Sequence, residues 1–256
     1  MTLRQSECKN RLLTAMPADV FEELASHFSA VELGAGRSMH EPGKTIDAVY
    51  FLESGICSIV VTMEDGVSVE VGVIGRESFV GYPVLLCTGQ SPHRTFMQVS
   101  GHGFRVNAGI LTRLAASSPP LRECLFKAVH GLMVQTAQTA ACNRLHGLNE
   151  RLARWLLICR DRMDGNEVEI TQEFLAVMLG TGRSSVTVSA GILQRAGLIT
   201  YTRGRVTVRN QAGLERAACE CYGTIHEENL RLGLLEGGEL PARRTKKAYG
   251  AWEQLG

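Results

Sequence analysis

The stretch from Glu167 to Arg209 constrains the fold more than any other part of the chain. EVEI, residues 167–170, alternates as a short strand does. Thr171 then stands where an N-cap belongs, ahead of QEFLAVML, and Glu173 puts negative charge in the first turn, where the helix dipole favours it. Gly180 follows directly, as the left-handed residue that closes a helix should. Thr181-Gly182-Arg183 predicts a tight turn, and a second helix runs from about Ser184 to Ala196, closed by Gly197. LITYT and RVTVR alternate on either side of Arg203-Gly204 and predict a hairpin. Helix, turn, helix, hairpin is a winged helix-turn-helix.

Phe174, Leu175, Val177 and Met178 are expected on the inner face of the first helix, and Val186, Ile192 and Leu193 on that of the second. That leaves Arg183, Ser184, Ser185, Thr187 and Val188 facing outward. Small hydrogen-bonding side chains with one arginine suit base edges and phosphates in a major groove. Arg203 and Arg205 on the wing suit backbone phosphates. An ordinary helical pair with a capping serine is the competing reading. Charge favours the first. Residues 143–209 hold ten Lys and Arg against six Asp and Glu, whereas residues 1–142 hold eleven against thirteen, in a chain of net charge +1.

The N-terminal part reads differently. Leu12, Leu13, Met16, Val20, Leu24 and Phe28 recur near helical spacing over 3–28, with Pro17 as a break or a start. From Val31 to about Val106, short apolar runs alternate with glycine and polar turns, and Asp65-Gly66 between ICSIVVTME and VSVEVGVIG signals a hairpin. Many short strands predict a sandwich, jelly roll or barrel. After Pro119-Pro120, Leu121 to about His146 predicts one long helix, with Gly131 as its single breaker. Its seam, Leu125, Val129, Leu132, Thr136, Thr139 and Asn143, is either core or a two-helix dimer contact. Asn149 is the expected N-cap of a further helix, Glu150 to about Arg162. The fold class is therefore α+β: an N-terminal β-roll, a long central helix and a C-terminal winged helix-turn-helix. The boundaries fall at 10–118, 119–147 and 148–222, and 223–256 is expected to be a flexible extension. Within it, Arg243-Arg244 and Lys246-Lys247 form a basic tail.

With these residues in place, the chain resembles the Crp/Fnr family of bacterial transcription regulators from about residue 10 to 222. The match is strongest in NERLARWLLICRDRM and EITQEFLAVMLGTGRSSVTVSAGILQRAGLITYTRGRVTV, with CNRLH (142–146) and ACECY (218–222) marking a branch. The resemblance implies a cyclic-nucleotide-binding-like roll, a dimerising helix and a palindromic operator. It also implies double-stranded DNA, a second copy of the chain and RNA polymerase as partners, with no catalytic residues. Cyclic-AMP-responsive members read bases with Arg, Glu and a second Arg. Here Arg183 matches the first, and Ser184 and Val188 replace the others, so the operator is expected to differ. The family's sensor pairs a Glu for the ribose with an Arg-Ser/Thr dipeptide for the phosphate. Arg94-Thr95 matches the dipeptide, but Tyr82-Pro83 stands where Gly-Glu would continue, and Thr136 falls near the base-contacting position. Control by cyclic AMP in the usual way is therefore not expected, and the effector is unassigned.

No cofactor and no metal site are expected. The eight cysteines show no CxxC spacing, and Cys8 alone does not make the family's N-terminal iron–sulfur cluster. Cys219 and Cys221 could sense oxidation if exposed. His27, His40, His93 and His102 leave haem open, whereas a jelly-roll metalloenzyme would need a closely spaced His pair with a carboxylate in step, and His93 and His102 are too far apart for that. The chain has neither an apolar run long enough to span a bilayer nor the apolar start of a signal peptide, so the expected location is cytoplasmic, with no membrane contact.

Overall fold

The computed structural model describes residues 3–235. Short helices α1 (Arg11–Thr14) and α2 (Ala18–Ala25) open the chain, after a single 3-10 turn at Gln5–Glu7. The continuous helical look of 3–28 is thus broken into pieces. Asn10 caps α1 through the Leu13 N–H, and Pro17 starts α2.

The roll follows as β1 (Ser29–Leu33), β2 (Ser38–His40), β3 (Ala48–Leu52), β4 (Ile56–Thr62), β5 (Ser68–Ile74), β6 (Phe79–Val80), β7 (Arg94–Val99) and β8 (Gly101–Asn107). The strands form two four-stranded sheets, β1-β8-β3-β6 and β2-β7-β4-β5. Alternation sends Cys57, Ile59, Ile74 and Met97 to the cluster between the sheets, while Ile56, Val60, Val73 and Phe96 face away from it. Asp65-Gly66 lies in the β4–β5 hairpin, with Gly66 at φ 82.

Helix α3 (Ala108–Ser117) leads into the central helix α4 (Pro119–Leu145), which Ser118 caps through the Leu121 N–H. Next come α5 (Leu148–Arg162), β9 (Glu167–Glu169), α6 (Gln172–Met178), α7 (Arg183–Arg195), β10 (Ile199–Thr202), β11 (Arg205–Val208), α8 (Gln211–Ala217) and α9 (Glu220–Arg231). The N-cap of α5 is Gly147 rather than Asn149: Glu150 reaches back to accept from the Gly147 N–H at 3.0 Å, so the helix starts two residues earlier than expected.

Two corrections concern how the parts join. Residues 223–235 are not a loose extension, because α9 packs along α4 and Leu232 and Leu234 join the core beneath the roll. Gly131 marks that crossing: a Cβ there would lie 2.8 Å from Asn229 Oδ1, so glycine permits the approach. The basic pairs at 243–247 lie outside the described residues. The roll and the winged helix also share one core, in which Ile56, Val60, Val73 and Phe96 pack with Leu152, Trp155, Leu156 and Leu175. Both joints bury apolar and charged groups that no local periodicity could assign to a partner.

Candidate nucleic-acid interface

The two helices of the motif are fixed by their ends. Thr171 Oγ1 accepts from the Phe174 N–H at 3.2 Å, Gly180 turns the chain at φ 56, and Gly182 precedes the first turn of α7. The inner faces hold Leu175 and Met178 from α6 and Val186, Ser189, Ala190 and Leu193 from α7.

Three expected core residues are placed otherwise. Phe174 packs edge-on against Phe96 of the roll, with ring centroids 5.8 Å apart. Val177 and Ile192 are 38% and 37% exposed. The face of α6 that carries Phe174 and Val177 lines a cleft against the roll, which helical periodicity cannot distinguish from a face turned toward α7.

Arg183, Ser184, Ser185, Thr187 and Val188 all lie on the exposed side of α7, as expected, and Val188 is 61% exposed. Thr187 Oγ1 lies 2.8 Å from Gln172 Oε1 and 3.0 Å from the Arg183 carbonyl, which orients the hydroxyl. Arg183 Nη1 lies 2.7 Å from Glu173 Oε1, and both side chains are exposed. On the wing, Thr202 pairs with Arg205, leaving Arg203-Gly204 as a two-residue loop at φ 50 and φ 78. Arg205 bridges Glu169 at 2.9 Å and Glu167 at 3.6 Å, whereas Arg203 makes no ion pair among the described residues. The positive excess of 143–209 is also less outward than its count suggests, since Arg154 and Arg162 are 4% and 3% exposed.

The expected dimer seam needs a sharper correction. Leu125 and Val129 are 0% and 7% exposed, spent on the chain's own core. Leu132 packs on the roll, Thr139 accepts from Arg154 Nη1 at 3.1 Å, and Asn143 is half-buried. Of the seam residues, Thr136 alone is exposed. The uncovered face of α4 instead carries Phe126, His130, Met133, Ala137, Ala140 and Arg144 at alternating spacings of four and three. Phe126 is 45% and Met133 65% exposed. Of the two readings of the seam, core or dimer contact, the burial of Leu125 and Val129 supports core.

The expected effector residues are not brought together. Arg94 sits over the Phe96 ring at 5.0 Å, 3.8 Å from Glu41, and lines the cleft between roll and α6, which holds about 450 Å³. Thr95, next on the strand, is 3% exposed. Tyr82 packs into the roll's own clusters, and Thr136 lies on α4. No hydrogen bond or ion pair links the four. Where the roll meets α4, Arg162 of α5 enters instead. Its Nε lies 2.8 Å from Glu77 Oε1 and its Nη2 donates to Gln135 Oε1 at 2.8 Å, leaving a space of about 10 Å³. Beside it, Glu70 accepts from Trp155 Nε1 at 2.7 Å and Ser58 Oγ at 2.6 Å, and burial pushes its carboxyl up to about 7.

A cluster missed by spacing rules lies where α4 meets α9. Cys142, His146, Cys219 and Cys221 place their ligand atoms within 4.8 Å of one another. The signal was present as C-x3-H in CNRLH and C-x-C in CECY, but no single stretch carries a familiar metal motif. Cys219 and Cys221 are 4% and 3% exposed, so the open thiolates that oxidation sensing would need are absent.

Residues 30–117 match the cyclic nucleotide-binding domain, and residues 150–217 match the Crp-like helix-turn-helix domain. A global nitrogen regulator of Synechococcus elongatus is 26% identical over 221 residues, covering 81% of this chain and 97% of the relative. Among solved structures, the c-di-GMP-responsive global regulator of Xanthomonas campestris superposes with TM-score 0.61 at 17% identity, over 76% of this chain and all of that one. A Crp/Fnr-family transcriptional regulator of Thermus thermophilus superposes with TM-score 0.59 at 18% identity, over 74% of this chain and 98% of that one.

Proposed function

The chain belongs to the Crp/Fnr family of transcriptional regulators, and on that premise we propose that it binds a palindromic operator as a homodimer without cyclic AMP as its usual signal. The family is one of regulators and not of enzymes, which removes the metal-dependent roll enzyme from consideration. The observation that carries the proposal is the exposed start of α7, where Ser184, Ser185, Thr187 and Val188 face outward beside the wing. Arg203 holds a phosphate, Arg183 and Arg205 assist after exchanging their glutamate partners, and the operator follows from the absence of Glu and Arg at 184 and 188. Two copies meet along Phe126 and Met133, in the two-fold arrangement that a palindrome requires. The work is done in the cytoplasm, with RNA polymerase as the downstream partner.

Three observations support a signal other than a nucleotide in the roll. Tyr82-Pro83 replaces the Gly-Glu that would carry the ribose-binding carboxylate, Arg94 lies over Phe96 in the cleft, and Arg162 fills the junction of roll and α4. A regulator with no small-molecule effector is the second reading, favoured by the single core shared between roll and winged helix. Footprinting of the full chain on its preferred duplex tests the proposal. Two protected half-sites about one helical turn apart are expected, and protection of one half-site alone counts against it.

A further inference from the structure

The C-terminal end of α4 and the start of α9 are far apart in sequence, yet they face each other through three cysteines and a histidine. Cys142 Sγ lies 3.4 Å from Cys219 Sγ, and Cys221 Sγ lies 3.6 Å from His146 Nδ1. All four ligand atoms fall within 4.8 Å of one another, and the cysteines are 0%, 4% and 3% exposed. We propose that Cys142, His146, Cys219 and Cys221 hold one zinc ion per protomer in a closed tetrahedral site that clamps the central helix to the end of the DNA-binding domain.

The dimensions fit a single ion. Zinc bonds of about 2.3 Å to sulfur and about 2.0–2.1 Å to nitrogen put tetrahedral ligand atoms roughly 3.8 Å apart for two sulfurs and roughly 3.6 Å for sulfur and nitrogen; the Cys221–His146 contact has that spacing, and the Cys142 and Cys219 sulfurs need open by only a few tenths of an ångström. Three thiolates with one imidazole form a soft set that suits zinc, and four protein ligands leave no open coordination position, so the site is structural.

The surroundings fit as well. His146 Nε2 lies 3.2 Å from Glu220 Oε2, so the neutral ring can donate its Nε2–H to that carboxylate and keep Nδ1 free for the metal. Zinc with three thiolates and a neutral imidazole carries a net charge of −1. Arg154 is buried, donates to Thr139, makes no ion pair among the described residues, and has an unpartnered Nε. The Arg151 Nε is unpartnered too. Arg154 reaches α4 at Thr139, three residues before Cys142. A buried guanidinium is costly without negative charge near it, and an anionic zinc centre would add to the charge of Glu70.

The ion would act at the hinge. Its ligands come from the central helix and its cap on one side and from the segment just after α8 on the other, so it fixes the angle at which the winged helix leaves the central helix. Zinc content is read without DNA, so this inference stands or falls separately from the operator reading.

The test is metal analysis of the full chain purified under reducing, chelator-free conditions. One zinc per protomer is expected in the wild type and in Cys124→Ser, with loss of zinc in Cys142→Ser and Cys221→Ser. Since those variants could misfold, the wild type is also stripped and reloaded with cobalt(II), which should give thiolate-to-cobalt charge-transfer and tetrahedral ligand-field bands at one equivalent. The proposal is overturned by a wild type that lacks zinc and gives no such cobalt spectrum. It is equally overturned by a Cys142–Cys219 disulfide in the reduced preparation, or by folded cysteine variants that keep their zinc.

Discussion

Arg162 of the DNA-binding half and Glu77 of the roll form a buried ion pair, Nε to Oε1 at 2.8 Å, with side chains 3% and 5% exposed. Gly75 makes room for it, since a Cβ there would lie 2.6 Å from Arg162 Cβ. The pair is the polar centre of the joint between the roll and the helix-turn-helix half. Removing one partner of a buried pair strands the other charge and costs about 3–5 kcal/mol. Arg162→Met and Glu77→Gln are each expected to lower unfolding free energy by that amount, and Arg162→Met with Glu77→Leu should recover much of the loss. Denaturant unfolding measures it, and single losses below about 1 kcal/mol, the range of exposed pairs, would contradict the assignment.

Glu70 gives the joint a pH dependence. Burial is the main cause of its raised pKa, opposed by hydrogen bonds from Ser58 and Trp155 and by the charges of Arg154 and Arg162. The folded chain holds this proton more tightly than the unfolded chain. The stability it contributes is full below the ordinary carboxyl value of 4.5 and is lost as pH rises through about 7. The span is worth on the order of 3 kcal/mol. Melting temperature against pH should fall across this window in the wild type and flatten in Glu70→Gln, and an unchanged slope in the variant would remove Glu70 as the cause.

The two sides of the central helix should respond differently. Phe126→Asp with Met133→Asp is expected to give folded monomer in sedimentation, with loss of operator binding. Leu125→Ala is expected to cost about 2–5 kcal/mol of folding stability through its cavity, without a specific effect on assembly. Dimer persisting in the double aspartate variant would place the interface elsewhere.

On the wing, charge pairing separates two neighbouring arginines. Arg203→Ala should weaken binding to all duplexes and reduce the salt slope by about 0.9, the value of one phosphate contact. Arg205→Ala should do so less, because Glu167 and Glu169 already occupy its guanidinium. Ser184→Ala should instead change preference among sequences. Competition titrations at several salt concentrations separate these outcomes, and equal effects of all three variants on every sequence would contradict the roles.

Elements with a local signature were legible in the sequence. Thr171, Gly180 and Gly197 punctuate α6 and α7 where turn and cap chemistry put them, and Arg203-Gly204 makes the wing turn. The exposed start of α7 followed once those ends were fixed. What escaped were relations between distant segments. Periodicity found a seam at Leu125 and Val129 but could not say that α9 and the roll had already covered it. Phe174 looked like motif core because apolar character does not reveal which neighbour it meets. The metal-like cluster is split between CNRLH and CECY, and only the packing of α9 on α4 brings the halves together.

The central claim is that this chain reads a specific palindrome through α7 without a cyclic nucleotide. The direct measurement is selection of preferred duplexes from a random pool by the full chain, with and without cyclic AMP. The account predicts the same two-fold motif enriched in both conditions. Enrichment only with the nucleotide, or no enriched motif in either, would contradict it.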